Sequence, residues 1–302
     1  MEKKMECLKG LGTALITPFK EDLSVDYESL ARLLDTQLAG GVDYIVVLGT
    51  TGEAATLSAE ERKEVRQYIV RYVQGRLPLV LGIGGNNTTA VCTELNAIQK
   101  ELKEHFAAIL SVCPYYNKPS QEGLYQHFSA IAEASPIPVI LYNVPGRTGV
   151  NLLPETVMRI YEAHRDKIAG IKEASGNIAQ IIDLIALANS KLKIKNYELP
   201  FLVISGDDGI ACEIMEAGGA GLISVASNAF AEDFHQIVHR KDARLQAKYA
   251  EMIRLLFKEG NPSGIKTVLA KKGIIKNVLR LPLVSNSAEV QEEIKNALSQ
   301  LA

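Results

Sequence analysis

The sequence predicts an α/β protein built as a (β/α)8 barrel (TIM barrel) with a C-terminal helical appendage. Eight short runs rich in β-branched and apolar residues recur along the chain, most of them separated by roughly 30 residues, the length of a strand–helix unit. Segments with helix start signals lie between these runs. An open doubly wound sheet is the alternative, but no Gly-x-Gly-x-x-Gly turn follows the first run, as that fold would require.

Each apolar run is a candidate buried strand. The runs are residues 13–16, 44–48, 79–83, 107–112, 139–142, 168–171, 202–205 and 222–225. Continuous apolar runs, rather than alternating ones, are typical of parallel strands that are covered on both faces. The last two runs are about 15 residues apart, which is still enough for a crossover connection.

The segments between the runs carry the signals of helix ends. Ser58 and Glu61 have the spacing of a capping box, and Pro154 occupies a position that suits the first turn of a helix. Gly40 and Gly218 close apolar periodic stretches just before a strand, which indicates C-terminal caps. Helices are therefore predicted to alternate with the strands.

Beyond residue 230 the strand pattern stops. Residues 234–258 are predicted to form one helix, broken afterwards at Asn261 and followed by further helical segments. We therefore place the catalytic barrel at residues 1–235 and a C-terminal helical domain at residues 236–302.

Composition excludes several classes of function. The chain has 302 residues and a formal net charge of −2, without a long basic run, so neither nucleic acid nor an anionic membrane is an expected partner. The four cysteines show no Cys-x-x-Cys spacing and are predicted to be free thiols. The start of the sequence lacks the apolar segment of a signal peptide, and no run is long enough to span a bilayer, so we expect a cytoplasmic location.

Lys172 is the first candidate catalytic residue, because it closes the apolar run 168–171. Burying an ammonium group without a partner is costly, and a lysine in that position tends to lose its proton. A neutral amine can attack a carbonyl and form a Schiff base. The structural alternative is a lysine that reaches solvent at the strand end, paired with an acid such as Glu173.

Polar residues at other strand ends favour the catalytic interpretation. Barrel enzymes take their reacting groups from the carboxyl ends of several strands. The residues found there are Thr50 and Thr51, Tyr116, Tyr142, and Arg147. Hydroxyl groups can relay protons, and a guanidinium group or the backbone of the Thr50–Thr51 turn can hold a carboxylate. Each residue alone has a structural explanation, but together they predict a site for a keto acid.

A metal site is not expected. His235 and His239 have the i, i+4 spacing of two ligands on one helix face, but the glutamate of the zinc-protease motif is missing between them. Asp207 and Asp208 could bind a divalent cation, but no further acids cluster nearby in the sequence, and capping of the following helix explains them better. No metal site is therefore predicted from these residues.

Several motifs carry a resemblance that covers nearly the whole chain. They are residues 49–53, 114–124, 142–149, 170–174, 205–208, 261–262 and 279–282. With them the chain resembles the dihydrodipicolinate synthase family, within the N-acetylneuraminate lyase superfamily of class I aldolases. The segment 142–149 is the most specific, since its Arg147 marks the synthases rather than the sugar-acid lyases.

The resemblance implies a role for each matching residue. Among catalytic groups, Lys172 forms a Schiff base with pyruvate, Tyr142 donates and accepts the proton beside that amine, and Thr50 and Tyr116 complete a proton relay. Among substrate-binding groups, Thr51 contacts the pyruvate carboxylate and Arg147 binds the carboxylate of L-aspartate-4-semialdehyde. The backbones of Gly206 and Ile223 line the pocket.

The resemblance also implies an activity and an assembly. The product is 4-hydroxy-tetrahydrodipicolinate, in the diaminopimelate route to lysine, and no metal or cofactor takes part. A homotetramer built as a dimer of dimers is expected, in which Tyr116 reaches the active site of a neighbouring subunit. The alternatives are a pyruvate-dependent lyase or dehydratase acting on a sugar-derived 2-keto acid with the same lysine, and a non-catalytic barrel that senses a small acid.

One departure concerns feedback inhibition. Relatives inhibited by lysine grip the inhibitor's amine with a glutamate, and the matching position here is Ala90. Two histidines of that site are replaced by Ala59 and Arg62, whereas Asn86 and Tyr115 remain. A lost charge-assisted contact is worth about 1.5–3 kcal/mol, so we expect weak inhibition by lysine or none.

Overall fold

The computed structural model describes residues 5–195 and 201–301. The strands of this part of the chain are parallel and form a closed barrel in chain order, as the sequence predicts. They are β1 Gly10–Ala14, β2 Tyr44–Val47, β3 Leu79–Gly82, β4 Ala108–Val112, β5 Val139–Asn143, β6 Ile168–Glu173, β7 Leu202–Ser205 and β8 Gly221–Ser224.

Helices follow the strands along the described residues. They are α1 Tyr27–Ala39, α2 Ala59–Val73, α3 Thr88–Ala97, α4 Gln99–His105, α5 Gln121–Ala134, α6 Pro145–Thr148, α7 Pro154–Ala163, α8 Ile178–Lys195, α9 Ala211–Glu216, α10 Ser227–Arg240, α11 Ala243–Lys248, α12 Ala250–Phe257, α13 Ser263–Lys271 and α14 Ala288–Leu301. None of the described helices is long and apolar enough to cross a membrane.

The helix ends confirm the predicted signals. The Ser58 hydroxyl accepts from the Glu61 backbone N–H at 3.1 Å, and the Glu61 carboxylate accepts from the Ser58 N–H at 2.9 Å, which is a complete capping box. Pro154 opens α7, and Gly218 has a φ of +104° before β8. Asp207 caps the short turn after β7.

Two predicted elements are wrong in detail. The first strand spans Gly10–Ala14 rather than residues 13–16. Its glycines conceal the strand from the apolar pattern, although Gly12 is needed there, since an added Cβ would lie 2.2 Å from the Tyr44 ring. The single helix predicted over residues 234–258 is broken into α10, α11 and α12. Lys241 adopts a left-handed φ of +52° at the end of α10, and the Asp242 side chain then caps α11.

The chain divides into two compact units, which are described separately. Unit 1 comprises Met1–Gly10 and Pro78–Ile223, and unit 2 comprises Leu11–Leu77 and Ser224–Ala302. In unit 1 the residues of β5 and β6 are buried throughout, and α7 packs on β6. In unit 2 the buried faces of α1 and α10 pack against each other. The domain boundary proposed between residues 235 and 236 stays a prediction.

Candidate active site

Lys172 lies inside β6 rather than just after it, since that strand continues to Glu173. The strand register places Lys172 beside Tyr142 of β5 and beside Ile204 of β7. The lysine is 6% exposed and so is Tyr142. Lys172 is therefore largely withdrawn from water at the carboxyl end of a barrel strand, the end at which barrel enzymes carry their chemistry.

The amine of Lys172 has an aromatic neighbour and no acidic partner. Its Nζ lies 4.4 Å from the centroid of the Tyr142 ring. Within the described part of the chain it forms no ion pair, so the alternative of a lysine paired with Glu173 is not observed. A buried amine free of a carboxylate keeps its nitrogen available for attack on a carbonyl.

Glu173 is fully buried and is held by its own hydrogen-bond network. The Asn143 amide donates to its two oxygens at 2.9 and 3.2 Å, the Ser175 N–H donates at 2.8 Å, and the Gln180 amide donates at 3.4 Å. Burial raises the pKa of Glu173, and these hydrogen bonds oppose the rise. Successive side chains of a strand point to opposite faces, so this network fixes the end of β6 without pairing the Lys172 amine.

Gly206 gives the lysine its space. Its N–H donates to the Glu173 carbonyl at 2.8 Å, directly after β7. A Cβ at this position would lie 2.8 Å from Cε of Lys172 and 2.7 Å from Cβ of Ala174, closer than real side chains tolerate. Ile223, the other residue predicted to line the pocket, is 1% exposed in β8. The steric reason for Gly206 is not readable from the sequence.

Tyr116 and Arg147 lie at the surface of unit 1. Tyr116 is 89% exposed and has a φ of +74°, a strained value for a bulky residue, with its N–H donating to the Thr148 carbonyl at 3.3 Å. Arg147 is exposed within the short helix α6. The contact of Tyr116 with a neighbouring subunit stays a prediction.

In unit 2, Thr50 and Thr51 begin a single helical turn that follows β2. Thr50 is exposed and Thr51 is buried. The Thr51 hydroxyl oxygen accepts from the Asn261 side-chain amide at 2.9 Å. Asn261 belongs to the motif at residues 261–262, but its contact with Thr51 is visible only in the structure.

Charged residues support this turn. Glu53, in a left-handed conformation with a φ of +53°, ends the turn and forms a fully buried ion pair with Lys266. The backbone N–H of Arg280 donates to the Glu53 carboxylate at 3.3 Å. The guanidinium group of Arg280 donates to both carboxylate oxygens of Glu61. Burial lowers the pKa of Lys266 to about 8, and the carboxylate of Glu53 opposes the fall. Sequence analysis missed Lys266 because its partner is more than 200 positions away.

Comparison with known proteins gives a consistent result. The chain matches the model of the dihydrodipicolinate synthetase family over residues 7–301. The 4-hydroxy-tetrahydrodipicolinate synthases of Parabacteroides distasonis and Flavobacterium psychrophilum are each 49% identical, over 98% and 97% of this chain and 97% of each relative. The crystal structure of dihydrodipicolinate synthase from Thermotoga maritima superposes with a TM-score of 0.90 at 38% identity, over 97% of this chain and 98% of that one.

Proposed function

Because the chain belongs to the dihydrodipicolinate synthetase family, we infer that it is a 4-hydroxy-tetrahydrodipicolinate synthase, a lyase of the class I aldolase type. It condenses pyruvate with L-aspartate-4-semialdehyde, in the diaminopimelate route to lysine. The observation that carries the mechanism is the amine of Lys172, which is buried beside Tyr142 without an acidic partner among the described residues.

The first half of the proposed reaction forms a covalent intermediate. The Lys172 nitrogen attacks the keto carbon of pyruvate and gives a carbinolamine, whose hydroxyl leaves as water when it receives a proton. Tyr142 supplies that proton, and the position of its ring beside the amine supports the role. Thr50 and Tyr116 pass protons to and from Tyr142.

The second half makes the new carbon–carbon bond. The imine loses a proton from the pyruvate methyl group and becomes an enamine, whose carbon attacks the aldehyde of the second substrate. The amino group of that substrate then replaces the lysine nitrogen at the former keto carbon. This transimination closes the ring, gives 4-hydroxy-tetrahydrodipicolinate and returns Lys172 to its free form. The proposed chemistry uses no metal or cofactor.

Thr51 and Arg147 bind the two substrate carboxylates in this proposal. Since the Thr51 oxygen accepts from Asn261, its own O–H proton is left to donate to the pyruvate carboxylate. Arg147 can hold the carboxylate of the semialdehyde through two parallel hydrogen bonds, and its exposure lets an incoming substrate reach it. The backbones of Gly206 and Ile223 line the pyruvate pocket.

The proposal extends to a homotetramer, a dimer of dimers in which each Tyr116 completes the relay of a neighbouring subunit. The exposure of this tyrosine and its strained backbone support a role outside its own subunit, since strain tends to accumulate at functional positions. The proposed location is the cytoplasm. The sugar-acid alternative is not favoured, because the similar curated relatives are synthases.

Borohydride trapping and a turnover assay test the proposal together. Reduction in the presence of pyruvate should add a pyruvate-derived mass to the peptide that holds Lys172, and turnover should require aspartate semialdehyde rather than sugar acids. Arg147→Ala should raise the KM for the semialdehyde and leave the trapped adduct intact. Arg159→Ala, which removes an exposed arginine of the same unit, is the matched control. Absence of an adduct, or equal turnover with sugar acids, would contradict the assignment.

A further inference from the structure

Three side chains with metal-binding chemistry converge in unit 2, and none of them is among the residues assigned above. Asp43 lies immediately before β2, and His235 and His239 lie one turn apart on α10. One ligand atom from each lies within 4.8 Å of the other two. We propose that these residues form a binding site for a divalent ion of borderline softness, of which Zn²⁺ is the best-fitting example.

Two of the three candidate metal ligands, His239 and Asp43, are already in contact with each other. His239 Nε2 lies 2.7 Å from Oδ2 of Asp43, and the same oxygen accepts from the backbone N–H of Leu11 at 2.6 Å. That backbone bond orients the carboxylate, as the supporting hydrogen bonds of metal sites do. An ion that enters displaces only the contact between the histidine and the aspartate.

His235 supplies an independent observation. Its ring makes no hydrogen bond to any residue in the described ranges, although its Nδ1 is buried. The centroids of the His235 and His239 rings are 4.2 Å apart. The His235 Nδ1 atom faces Gly41, where a Cβ added to the glycine would lie 3.4 Å from it. Buried polar atoms are almost always hydrogen-bonded. An imidazole that coordinates an ion is instead held by the metal bond.

The donor set selects the class of ion. Two imidazoles and one carboxylate suit Zn²⁺ with water as a fourth ligand, whereas Ca²⁺ and Mg²⁺ prefer oxygen ligands alone. Ligand bonds of about 2.0–2.1 Å in a tetrahedron place the ligand atoms about 3.4 Å apart. The His239–Asp43 pair, now 2.7 Å apart, must therefore open, whereas any longer distance among the three atoms, which all lie within 4.8 Å of one another, must close. The side chains of His239 and Asp43 are 41% and 29% exposed, which lets an ion enter from solvent.

The position of the site indicates its role. Asp43 precedes β2 and Thr50 follows it, so about 13 Å of strand separates the ion from the substrate-binding turn. The ion would join α10 to the start of β2 and the backbone of β1. It should therefore stabilise the fold without entering the reaction.

The test uses the full-length enzyme, stripped with a chelator and titrated separately with ZnCl2 and CoCl2. We expect one ion per chain, a thermal midpoint that rises with zinc concentration, and a cobalt spectrum without a thiolate charge-transfer band. His239→Gln and Asp43→Asn should each weaken zinc binding at least about 10-fold and remove the thermal shift. His105→Gln, at an exposed histidine, should leave both unchanged.

His235→Gln guards against misfolding, because that ring gives up no hydrogen bond among the described residues. This variant should fold, keep its turnover and lose zinc affinity. The site is overturned if the stripped enzyme binds no zinc, or if His235→Gln and His239→Gln bind it as tightly as the parent. A strong thiolate band with Co²⁺ would also overturn it, because the ion would then belong to cysteines.

Discussion

The two units each bury a lysine, and the two lysines are equipped differently. Lys172 of unit 1 is 6% exposed and Lys266 of unit 2 is fully buried. Each amine lies near an aromatic ring, at 4.4 Å from the centroid of Tyr142 and 4.2 Å from that of Phe19. Burial and an aromatic neighbour therefore do not distinguish the lysine proposed as catalytic from the one in an ion pair.

The acidic partner makes the difference. Lys266 is ion-paired with Glu53 and donates to the Val278 carbonyl at 3.0 Å, so its amine is fully engaged. Lys172 has no acid beside it in the described residues, and the nearby carboxylate of Glu173 is bound by other groups. A buried lysine that is paired with a carboxylate stabilises the fold, whereas a buried lysine without such a partner can serve as a nucleophile.

Removal of the Lys172 amine is the strongest test of this comparison. Lys172→Ala should lower turnover at least about 1,000-fold and abolish borohydride trapping, because no other group can form the Schiff base. Its thermal midpoint should stay close to that of the parent enzyme. Substantial turnover by a folded Lys172→Ala enzyme would show that the amine is not the nucleophile.

Removal of the Lys266 amine should affect stability instead. Lys266→Ala leaves the buried charge of Glu53 without its partner and should lower the free energy of unfolding by about 3–5 kcal/mol, measured by urea denaturation. The folded fraction should still give a pyruvate adduct on Lys172. The double variant Lys266→Met with Glu53→Gln should recover part of the loss. A pyruvate adduct trapped on Lys266, or an unchanged free energy of unfolding in Lys266→Ala, would contradict the structural role of this lysine.

Asn261→Ala should separate binding from chemistry. Loss of its hydrogen bond to Thr51 frees the hydroxyl to rotate, which should raise the KM for pyruvate roughly 5- to 10-fold, the value of about one hydrogen bond. The kcat should change less, since the Lys172 amine is untouched. Steady-state kinetics with pyruvate varied would check this, and a loss confined to kcat would contradict a role in positioning Thr51.

Glu61 allows a test by pH. Its hydrogen bonds from Arg280 are the main reason that its pKa falls from an ordinary 4.5 to about 2. A carboxyl whose pKa is lower in the folded state stabilises the fold above pH 4.5, and this contribution is lost as pH falls toward 2. Glu61→Gln should therefore be less stable than the parent by about 1–2 kcal/mol at pH 7, and the two should converge in acid. A gap that is constant with pH would contradict the assignment.

The smallest expected effect is that of free lysine on the enzyme. Ala90 is exposed on α3 and offers no carboxylate to a cationic ligand, while Asn86 donates to the Tyr115 carbonyl at 3.1 Å. Lysine in the assay should therefore inhibit weakly or not at all, and Ala90→Glu should increase the inhibition. Half-inhibition of the parent enzyme at submillimolar lysine would show that the missing acid does not matter.

The sequence predicts Lys172 and fails to predict Lys266 for the same physical reason. The case for Lys172 is local, since a charged residue interrupts an apolar strand pattern and other strand ends carry matching polar groups. Lys266 lies in α13, which is buried from Ser263 to Leu269, and its partner Glu53 is distant in the sequence. Only the folded chain brings that pair together.

Contacts that form only in the folded chain also explain why two elements of the fold were predicted wrongly. The strands from β2 to β8 are predicted from their apolar runs. The start of β1 is not, because glycines interrupt its apolar pattern and the Tyr44 ring occupies the space beside Gly12. The break after α10 depends on the left-handed turn at Lys241, a residue with no evident turn signal. The metal-ligand spacing of His235 and His239 is visible in the sequence, but Asp43 joins them only through the fold.

The contact between Gly206 and Lys172 restricts which mutations this strand end can accept. One added methyl group at position 206 would lie 2.8 Å from Cε of Lys172 and 2.7 Å from Cβ of Ala174, so one of these groups would have to shift. Under the proposed mechanism, a change of substrate is therefore expected to arise from other positions, for instance Arg147. The proposed mechanism thus predicts that position 206 tolerates a larger side chain poorly, whereas position 147 can vary.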